Sequence, residues 1–320
     1  MSTNKIIKNI TEGIENYSIR LLYQEESQVE DLRRQHIKYV RNNVSVSLDS
    51  DFYYDGCDCT DNCESSECGC KSTHGYFYNS QISGLDPNLV QSSNATFNHT
   101  IYECNSLCAC SNQCQNRLVQ HGISLPLEIF RTSLCGWGVR VSSSYTNNQR
   151  NNQEKDVDDQ VVIKQGQFVC EYAGEIIKTD EARRRWRSYK SDYGITDNYI
   201  FCIREHIGKD RVLRTNIDPT RVGNIGRYIN HSCSPNLRMF LVRVNSIVPI
   251  AALFATREIR ENEELSFDYS GQIGMGIEDE KINNNEEDSV SKNGIIVGER
   301  KPCFCGSENC CGYLPFDESL

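Results

Sequence analysis

Short runs of β-branched and aromatic residues recur along the chain from Leu118 onward, and polar or glycine-containing segments separate them. Runs of this kind between turn signals are typical of β-strands with one or both faces buried. Four of the runs predict strands: Ile129-Phe130, Phe168 to Tyr172, Tyr199 to Ile203 and Ile247 to Phe254. The pattern therefore predicts a mainly β body with few helices.

Helical periodicity is weak except near the middle of the chain. One helix is predicted from Thr179 to Lys190, where Asp180 can cap the first turn. One face of this helix would carry, at i, i+4 and i+7 spacing, Ala182, Trp186 and Tyr189. A shorter helix that packs on the body is expected within Ser27 to Tyr39.

Changes of composition divide the chain. Polar low-complexity stretches at 142–160 and 277–292 cannot form a packed core, which predicts a surface insertion and a variable linker. The divisions that we expect are an N-terminal polar segment (1–50), a loop-rich cysteine module (51–117), the β body with its insertion (118–275), the linker (276–298) and a C-terminal cysteine segment (299–320).

The composition is that of a globular protein, with 320 residues of which 38% are hydrophobic and 24% charged. No apolar run is long enough for a membrane span or a signal peptide, so we expect an intracellular protein. A net charge of −10 argues against a DNA-binding surface over the whole molecule, and no sequence-specific DNA binding is predicted. The charge suits a basic partner, although it would equally serve to keep the protein soluble.

Cysteine is the most informative residue type, with 17 in the chain. Nine of them lie between residues 57 and 114, an odd number that disfavours a disulfide framework in a reducing compartment. Nine thiolates can hold three tetrahedral zinc ions if three sulfurs each bridge two metals, which closes a triangular cluster. The predicted ligands are Cys57, Cys59, Cys63, Cys68, Cys70, Cys104, Cys108, Cys110 and Cys114.

A second cysteine group follows the linker. Cys303, Cys305 and Cys310 supply three ligands, and Cys233 is the best candidate for the fourth ligand of one further zinc ion. The remaining cysteines are expected to be unligated: Cys135, Cys170, Cys202 and Cys311.

The order of the motifs then carries a resemblance. The nine-cysteine segment, GWG, EYAGE, NHSC, ELSFDY and CFCGSENC together resemble SET-domain lysine methyltransferases with pre-SET and post-SET zinc modules. ECNSLCACSNQCQNRLVQ, GNIGRYINHSCSPNL and CGYLPFDESL are most similar to the SET enzymes that are fused to a mariner transposase, within the suppressor-of-variegation branch. The resemblance implies a knotted β fold of small sheets, with a narrow channel that joins a cofactor face to a peptide face.

The resemblance also implies roles for individual residues. The residues that would contact S-adenosylmethionine are Gly136, Trp137, Gly138, Tyr199, Arg227, Asn230 and His231. Tyr269 matches the catalytic tyrosine, Tyr172 a second channel tyrosine, and Phe267 the position that sets how many methyl groups are added. Phenylalanine at that position predicts di- or trimethylation, although the transposase-fused relatives tend to have tyrosine there.

The activity implied by the resemblance is methyl transfer from S-adenosylmethionine to a lysine of the histone H3 tail or the nucleosome, in the nucleus and on chromosomes. Lysine nine is preferred, with lysine thirty-six or four as alternatives. The rival interpretation is a non-enzymatic, zinc-dependent chromatin scaffold or reader. Loss of Tyr269, Asn230 or His231 would have favoured that rival, and all three are present.

Overall fold

The computed structural model describes residues 5–34, 37–45, 54–64, 68–91, 100–142, 161–193, 197–207, 211–270 and 301–315. The predicted insertion at 142–160 lies outside the described residues except for Ser142, and the predicted linker at 276–298 lies wholly outside them.

Short strands dominate the described part of the chain, as the hydrophobic pattern predicts. The strands are β1 (Lys5–Ile7), β2 (Arg20–Tyr23), β3 (Lys38–Tyr39), β4 (Val44–Ser45), β5 (Tyr78–Asn79), β6 (Gly84–Leu85), β7 (Ile101–Tyr102), β8 (Leu127–Arg131), β9 (Trp137–Val141), β10 (Val161–Ile163), β11 (Phe168–Glu171), β12 (Gly174–Ile177), β13 (Phe201–Ile207), β14 (Arg211–Gly223), β15 (Asn230–His231), β16 (Leu237–Arg243), β17 (Ile250–Ala255), β18 (Ile259–Arg260) and β19 (Ser266–Phe267). The helices are α1 (Glu26–Arg34), α2 (Gly69–His74), α3 (Pro87–Gln91) and α4 (Thr179–Tyr193), with 3-10 helices at Val119–His121 and Ile225–Tyr228.

The strands form several small sheets. Three larger sheets have the orders β1-β2-β8-β9, β11-β17-β16-β7 and β13-β14-β12-β4, and β3 pairs with β14 beside the last of them. Two-stranded pairs join β5 to β6, β10 to β18 and β15 to β19. The N-terminal segment thus adds strands to two of the larger sheets, a role that its polar composition did not predict.

The core lies where the inward faces of these sheets meet. Leu127 and Ile129 of β8 face inward with Val139 and Val141 of β9, and each is at most 3% exposed. Burial of each such side chain stabilises the fold by roughly 2 kcal/mol. A second core cluster around Phe168 connects the cysteine module to β11, β16 and β17.

The long helix α4 packs as its periodicity predicts. Ala182 and Tyr189 are buried against Ile177 and Ile200, with Trp186 at the edge of the cluster. The Tyr189 hydroxyl donates a hydrogen bond of 2.7 Å to the buried carboxylate of Asp218 on β14. The helix is thereby fixed to the sheet whose strand β13 begins beside the candidate site.

Among the described residues, no helix is long and apolar enough to cross a membrane. The longest, α4, carries many charged residues along its exposed side.

Candidate active site and cysteine clusters

The nine cysteines of the cysteine module lie together in the structure. Four overlapping groups each hold four sulfurs within 4.8 Å of one another. The groups are Cys57 with Cys59, Cys63 and Cys68; Cys57 with Cys68, Cys70 and Cys104; Cys57 with Cys104, Cys108 and Cys110; and Cys63 with Cys104, Cys110 and Cys114. All of the cysteines are free thiols.

The distances between neighbouring sulfurs suit a shared metal. The Cys57 and Cys63 sulfurs are 3.6 Å apart, those of Cys63 and Cys104 are 3.7 Å apart, and those of Cys70 and Cys108 are 3.6 Å apart. Two sulfurs bound to one tetrahedral zinc ion at about 2.3 Å lie about 3.8 Å apart. The residues present therefore fit a zinc–thiolate cluster.

N–H groups around the cluster donate hydrogen bonds to the sulfurs. The backbone N–H groups of Cys57 and Asn105 donate to Cys108 Sγ at 3.4 and 3.3 Å, and Arg117 Nη2 donates to Cys110 Sγ at 3.6 Å. Hydrogen bonds of this kind favour the thiolate form that binds zinc. The cluster surroundings thus match the chemistry of metal ligation.

The C-terminal cysteines meet the body of the protein at Cys233. Its sulfur and those of Cys303, Cys305 and Cys310 lie within 4.8 Å of one another, and the set could hold one metal ion. Asn309 Nδ2 donates to the Cys233 carbonyl at 3.1 Å, which further ties the tail to this point. Cys311, which directly follows Cys310, belongs to no such group within the described residues.

The tail also lies near the glycine-rich GWG turn. Cys135 Sγ donates to the Phe304 carbonyl at 3.8 Å. Gly136 adopts a φ of +78°, which favours glycine, and a Cβ there would meet only Arg131 Nη1, at 3.9 Å. A Cβ on Gly138 would lie 2.7 Å from Glu264 Oε1 and from Thr132 Cγ2, so any other residue here would have to displace these side chains.

Asn230 is held by the strand that carries Trp137. Asn230 Nδ2 donates to the Trp137 carbonyl at 3.0 Å and to Glu264 Oε1 at 2.7 Å. Because both amide hydrogens are used in this way, Oδ1 is the group left to accept from a ligand.

Glu264 is a site residue that motif reasoning missed. Its carboxylate is half-buried, and burial raises its pKa, while the Asn230 amide opposes that shift. The signal available in the sequence was a carboxylate immediately before the buried Leu265 of ELSFDY.

Arg227 and Tyr199 form a stacked pair. The guanidinium carbon of Arg227 lies 4.2 Å from the centre of the Tyr199 ring, and Arg227 Nε donates to the Pro219 carbonyl at 3.1 Å. Arg227 is only 5% exposed, so the stack is largely shielded from water. Tyr199 and Ile200 precede β13, although the sequence predicts a strand from Tyr199, because the Tyr199 carbonyl accepts from the Tyr172 hydroxyl and Ile200 N donates to Asn198 Oδ1.

His231 connects the active-site strand to the C-terminal cysteine group. Tyr269 N donates to His231 Nδ1 at 3.2 Å, so a neutral ring carries its hydrogen on Nε2, which lies 3.4 Å from Cys233 Sγ. Burial lowers the pKa of His231, which favours this neutral form. Asp268 opposes the shift from its exposed position.

Four aromatic side chains pack together and form an aromatic enclosure. The Phe267 ring centre lies 4.9 Å from Tyr269, 5.8 Å from Tyr172 and 6.1 Å from Phe201. The Tyr269 hydroxyl donates to the Ile229 carbonyl at 2.8 Å, and the Tyr172 hydroxyl donates to the Tyr199 carbonyl at 2.6 Å. Burial raises the pKa of both phenols, so they stay protonated and act as oriented dipoles rather than as bases.

The short parallel pair of β15 and β19 assembles this site. Asn230 lies opposite Ser266 and His231 opposite Phe267. The structure therefore brings together all of the site residues that the sequence predicts outside the cysteine clusters, from the GWG turn to Tyr269.

Comparison with known proteins identifies the family. The SET domain model matches residues 160–270, and the Pre-SET motif model matches residues 11–117. Mouse histone-lysine N-methyltransferase SETMAR is 33% identical over 97% of this chain and 98% of its own length. The chain belongs to the SET-domain histone-lysine methyltransferases. The enzyme class, the SET fold and the kinship with SET and mariner proteins that the motifs implied are confirmed.

Further relatives and solved structures also match most of this chain. Drosophila melanogaster histone-lysine N-methyltransferase Su(var)3-9 is 34% identical over 85% of this chain and 40% of that protein. The methyltransferase domain of human SETMAR superposes with a TM-score of 0.69 at 32% identity, over 97% of this chain and 98% of that chain. Arabidopsis thaliana SUVH6 in complex with SAM superposes with a TM-score of 0.66 at 28% identity, over 96% of this chain and 55% of that chain. KRYPTONITE in complex with mCHH DNA, H3(1–15) peptide and SAH superposes with a TM-score of 0.66 at 25% identity, over 96% of this chain and 53% of that chain.

Replacing Gly138 by Ala is expected to weaken binding of S-adenosylhomocysteine. The added methyl group would displace Glu264 from Asn230, and loss of one charge-assisted hydrogen bond should raise the Kd at least about tenfold in isothermal titration calorimetry. Gly69→Ala is the matched control, because a Cβ there meets nothing within 4 Å. An unchanged Kd in Gly138→Ala would exclude this arrangement around Asn230.

Proposed function

We propose that this methyltransferase transfers methyl groups from S-adenosylmethionine to lysine nine of histone H3 and forms di- or trimethyl-lysine. The observation that carries the proposal is the aromatic enclosure, in which two protonated tyrosines flank Phe267. The H3(1–15) peptide in the KRYPTONITE complex contains lysine nine and supports this choice over lysine thirty-six.

The cofactor would lie against the GWG turn and β15. S-adenosylmethionine supplies the methyl group from its sulfonium when it is bound. The absence of a side chain at Gly136 would allow close approach to the backbone, and Asn230 Oδ1, fixed by Glu264, would accept from a donor on the ligand. The remaining contacts would come from Trp137, Gly138, Tyr199, Arg227 and His231.

The target lysine must be neutral when it reacts. Deprotonation at pH 7 costs roughly 4.6 kcal/mol for a lysine of ordinary pKa in water. An enclosure built of Phe267, Phe201 and two phenols desolvates the ammonium, which lowers its pKa without a carboxylate or histidine base. Tyr269 and Tyr172 would then orient the amine, which supplies much of the rate.

Phe267 would govern the number of methyl groups. It is 2% exposed and lies between the two tyrosines. A hydroxyl at this ring position could hold a water molecule that crowds a methylated amine, and phenylalanine leaves that space to the second and third methyl groups.

The cysteine clusters would hold four zinc ions in structural roles. The nine-cysteine cluster would hold three of the ions, with some of its sulfurs shared between ions, because the four groups of sulfurs overlap. Its ligands would be Cys57, Cys59, Cys63, Cys68, Cys70, Cys104, Cys108, Cys110 and Cys114. The fourth ion would bind Cys233, Cys303, Cys305 and Cys310, all of them protein ligands, so no open position remains for catalysis.

The acidic protein would act on chromatin in the nucleus, where the basic H3 tail is its partner. A scaffold without activity is disfavoured because Tyr269, Asn230 and His231 are present and are joined to one another by β15, β19 and the bond from Tyr269 N to His231.

Replacing Tyr269 by Phe removes the oriented hydroxyl and keeps the ring. We expect kcat for an H3(1–15) peptide to fall at least about a hundredfold, with the KM for S-adenosylmethionine within about threefold of the original. Mass spectrometry of peptide after timed incubation measures this. Turnover equal to that of the unaltered enzyme would remove Tyr269 from the mechanism, and Tyr313→Phe, at an exposed tyrosine, serves as the control.

Replacing Phe267 by Tyr tests the product assignment. We expect product to accumulate as monomethyl-lysine, because the new hydroxyl would bring a water molecule into the space of the second methyl group. The ratio of mono-, di- and trimethylated peptide at full conversion is the measurement. An unaltered enzyme that itself stops at monomethyl-lysine would contradict the proposal.

Zinc content distinguishes the two clusters. The purified chain should contain four zinc ions by inductively coupled plasma mass spectrometry, and Cys310→Ser should contain three and lose methyl transfer. Cys311→Ser is the matched control one residue away and should keep four ions. A Cys310→Ser protein with full zinc content would exclude the assigned site.

A further inference from the structure

Residues 38–45 pass beside the turn that carries Tyr172. β3 pairs in parallel with the end of β14, where Tyr39 lies opposite Gly223, and β4 pairs in parallel with β12, where Val44 lies opposite Glu175. The residues between these two strands must therefore cross the turn from β11 to β12.

Two asparagines of this crossing contact both ends of the turn. Asn42 Nδ2 donates to Glu171 Oε2 at 2.9 Å, and Asn43 N donates to Glu171 Oε1 at 3.2 Å. Asn43 Oδ1 accepts from Gly174 N at 3.0 Å. The residues before and after Tyr172 and Ala173 are thus bound to the same two-residue segment.

Asn224 holds the turn from another side. Its Nδ2 donates to the Glu171 carbonyl at 2.8 Å, and its Oδ1 accepts from Ala173 N at 3.2 Å. Tyr172 N donates to the Ala251 carbonyl at 2.8 Å. With its backbone held by these bonds, Tyr172 can keep its hydroxyl on the Tyr199 carbonyl.

The Glu171 carboxylate depends on the N-terminal donors. Glu171 is 5% exposed, and burial raises its pKa to about 7, against the opposing hydrogen bonds of Asn42 and Asn43. Glu15 raises this pKa further and Arg41 lowers it. A buried carboxylate that loses donors is costly, so the turn would rearrange if the asparagines were removed.

We propose that Asn42 and Asn43 are positioning residues for methyl transfer, which act by holding the Glu171–Gly174 turn so that Tyr172 faces Phe267. The inference rests on the proposed role of Tyr172. It makes the N-terminal polar segment part of the catalytic apparatus, although the two asparagines bond to Glu171 and Gly174 rather than to Tyr172 itself.

A double-mutant cycle on kcat tests the inference. We expect Asn42→Ala with Asn43→Ala to lower kcat about tenfold, with the KM for S-adenosylmethionine and the zinc content unchanged. In a Tyr172→Phe background, the same two changes should lower kcat by less than about twofold, because the group that they position is gone. A general loss of structure would instead lower kcat equally in both backgrounds.

The control is Gln28→Ala on the same segment. Gln28 Oε1 accepts from Gln24 N at 2.9 Å and from Glu25 N at 3.3 Å, and among the described residues it has no hydrogen bond to the turn, so kcat should stay within twofold. If the double variant fails to fold, as judged by urea unfolding, Asn43→Ala takes its place, because it keeps both donors to Glu171 and removes only the acceptor of Gly174 N.

Two results would overturn the inference. One is an unchanged kcat on replacement of the asparagines, and the other is a full-sized effect in the Tyr172→Phe background. If Tyr172→Phe itself lowers kcat, either of these results overturns the inference but leaves the proposed function intact. If Tyr172→Phe has a normal kcat, the proposed role of Tyr172 is wrong, and this inference fails with it.

Discussion

The parallel pairing of β15 with β19 is the contact on which the candidate site depends. It sets Asn230 and His231 beside Ser266 and Phe267, and the chain that leaves β19 turns so that Tyr269 N reaches His231. Strands of two residues cannot hold such a pair alone. They are held because Leu265 N donates to the Val139 carbonyl on one side, and Cys233 joins the C-terminal cysteines on the other.

Two kinds of stabilising interaction meet around the pair of β15 and β19. The sheets bury aliphatic side chains such as Ile129 and Leu253, and the hydrophobic effect stabilises them in the usual way. The cysteine module and the C-terminal tail have few aliphatic residues, and in the cysteine module buried sulfurs occupy the positions that a core would fill. Metal ligation can hold such loop-rich segments together, since zinc binding energy is then folding energy. The candidate site lies where the C-terminal cysteines meet the sheets, and His231 lies on β15 with Nε2 3.4 Å from Cys233 Sγ.

The parts of this arrangement that depend on residue spacing within a short stretch of chain could be predicted from the sequence. The helix α4 followed from three apolar residues at helical spacing, and the cysteine groups followed from spacing and count. The N-terminal segment could not be predicted in this way. Residues 38–45 show no period of two or of 3.6, yet they add strands to sheet edges, because edge pairing uses backbone groups that every sequence has.

The sequence by itself determined the mainly β fold and which cysteines could act as ligands, because these depend on residue type and spacing, and its motifs indicated the enzyme class through their resemblance to a known family. Only the tertiary structure decided that Glu264 fixes the Asn230 amide, that Arg227 stacks on Tyr199 and that Asn42 and Asn43 hold the turn before β12. Each of these is a hydrogen bond or a ring contact between residues remote in sequence. Such contacts exist only after the sheets have packed, since their length of about 3 to 4 Å leaves no tolerance for a different path of the chain.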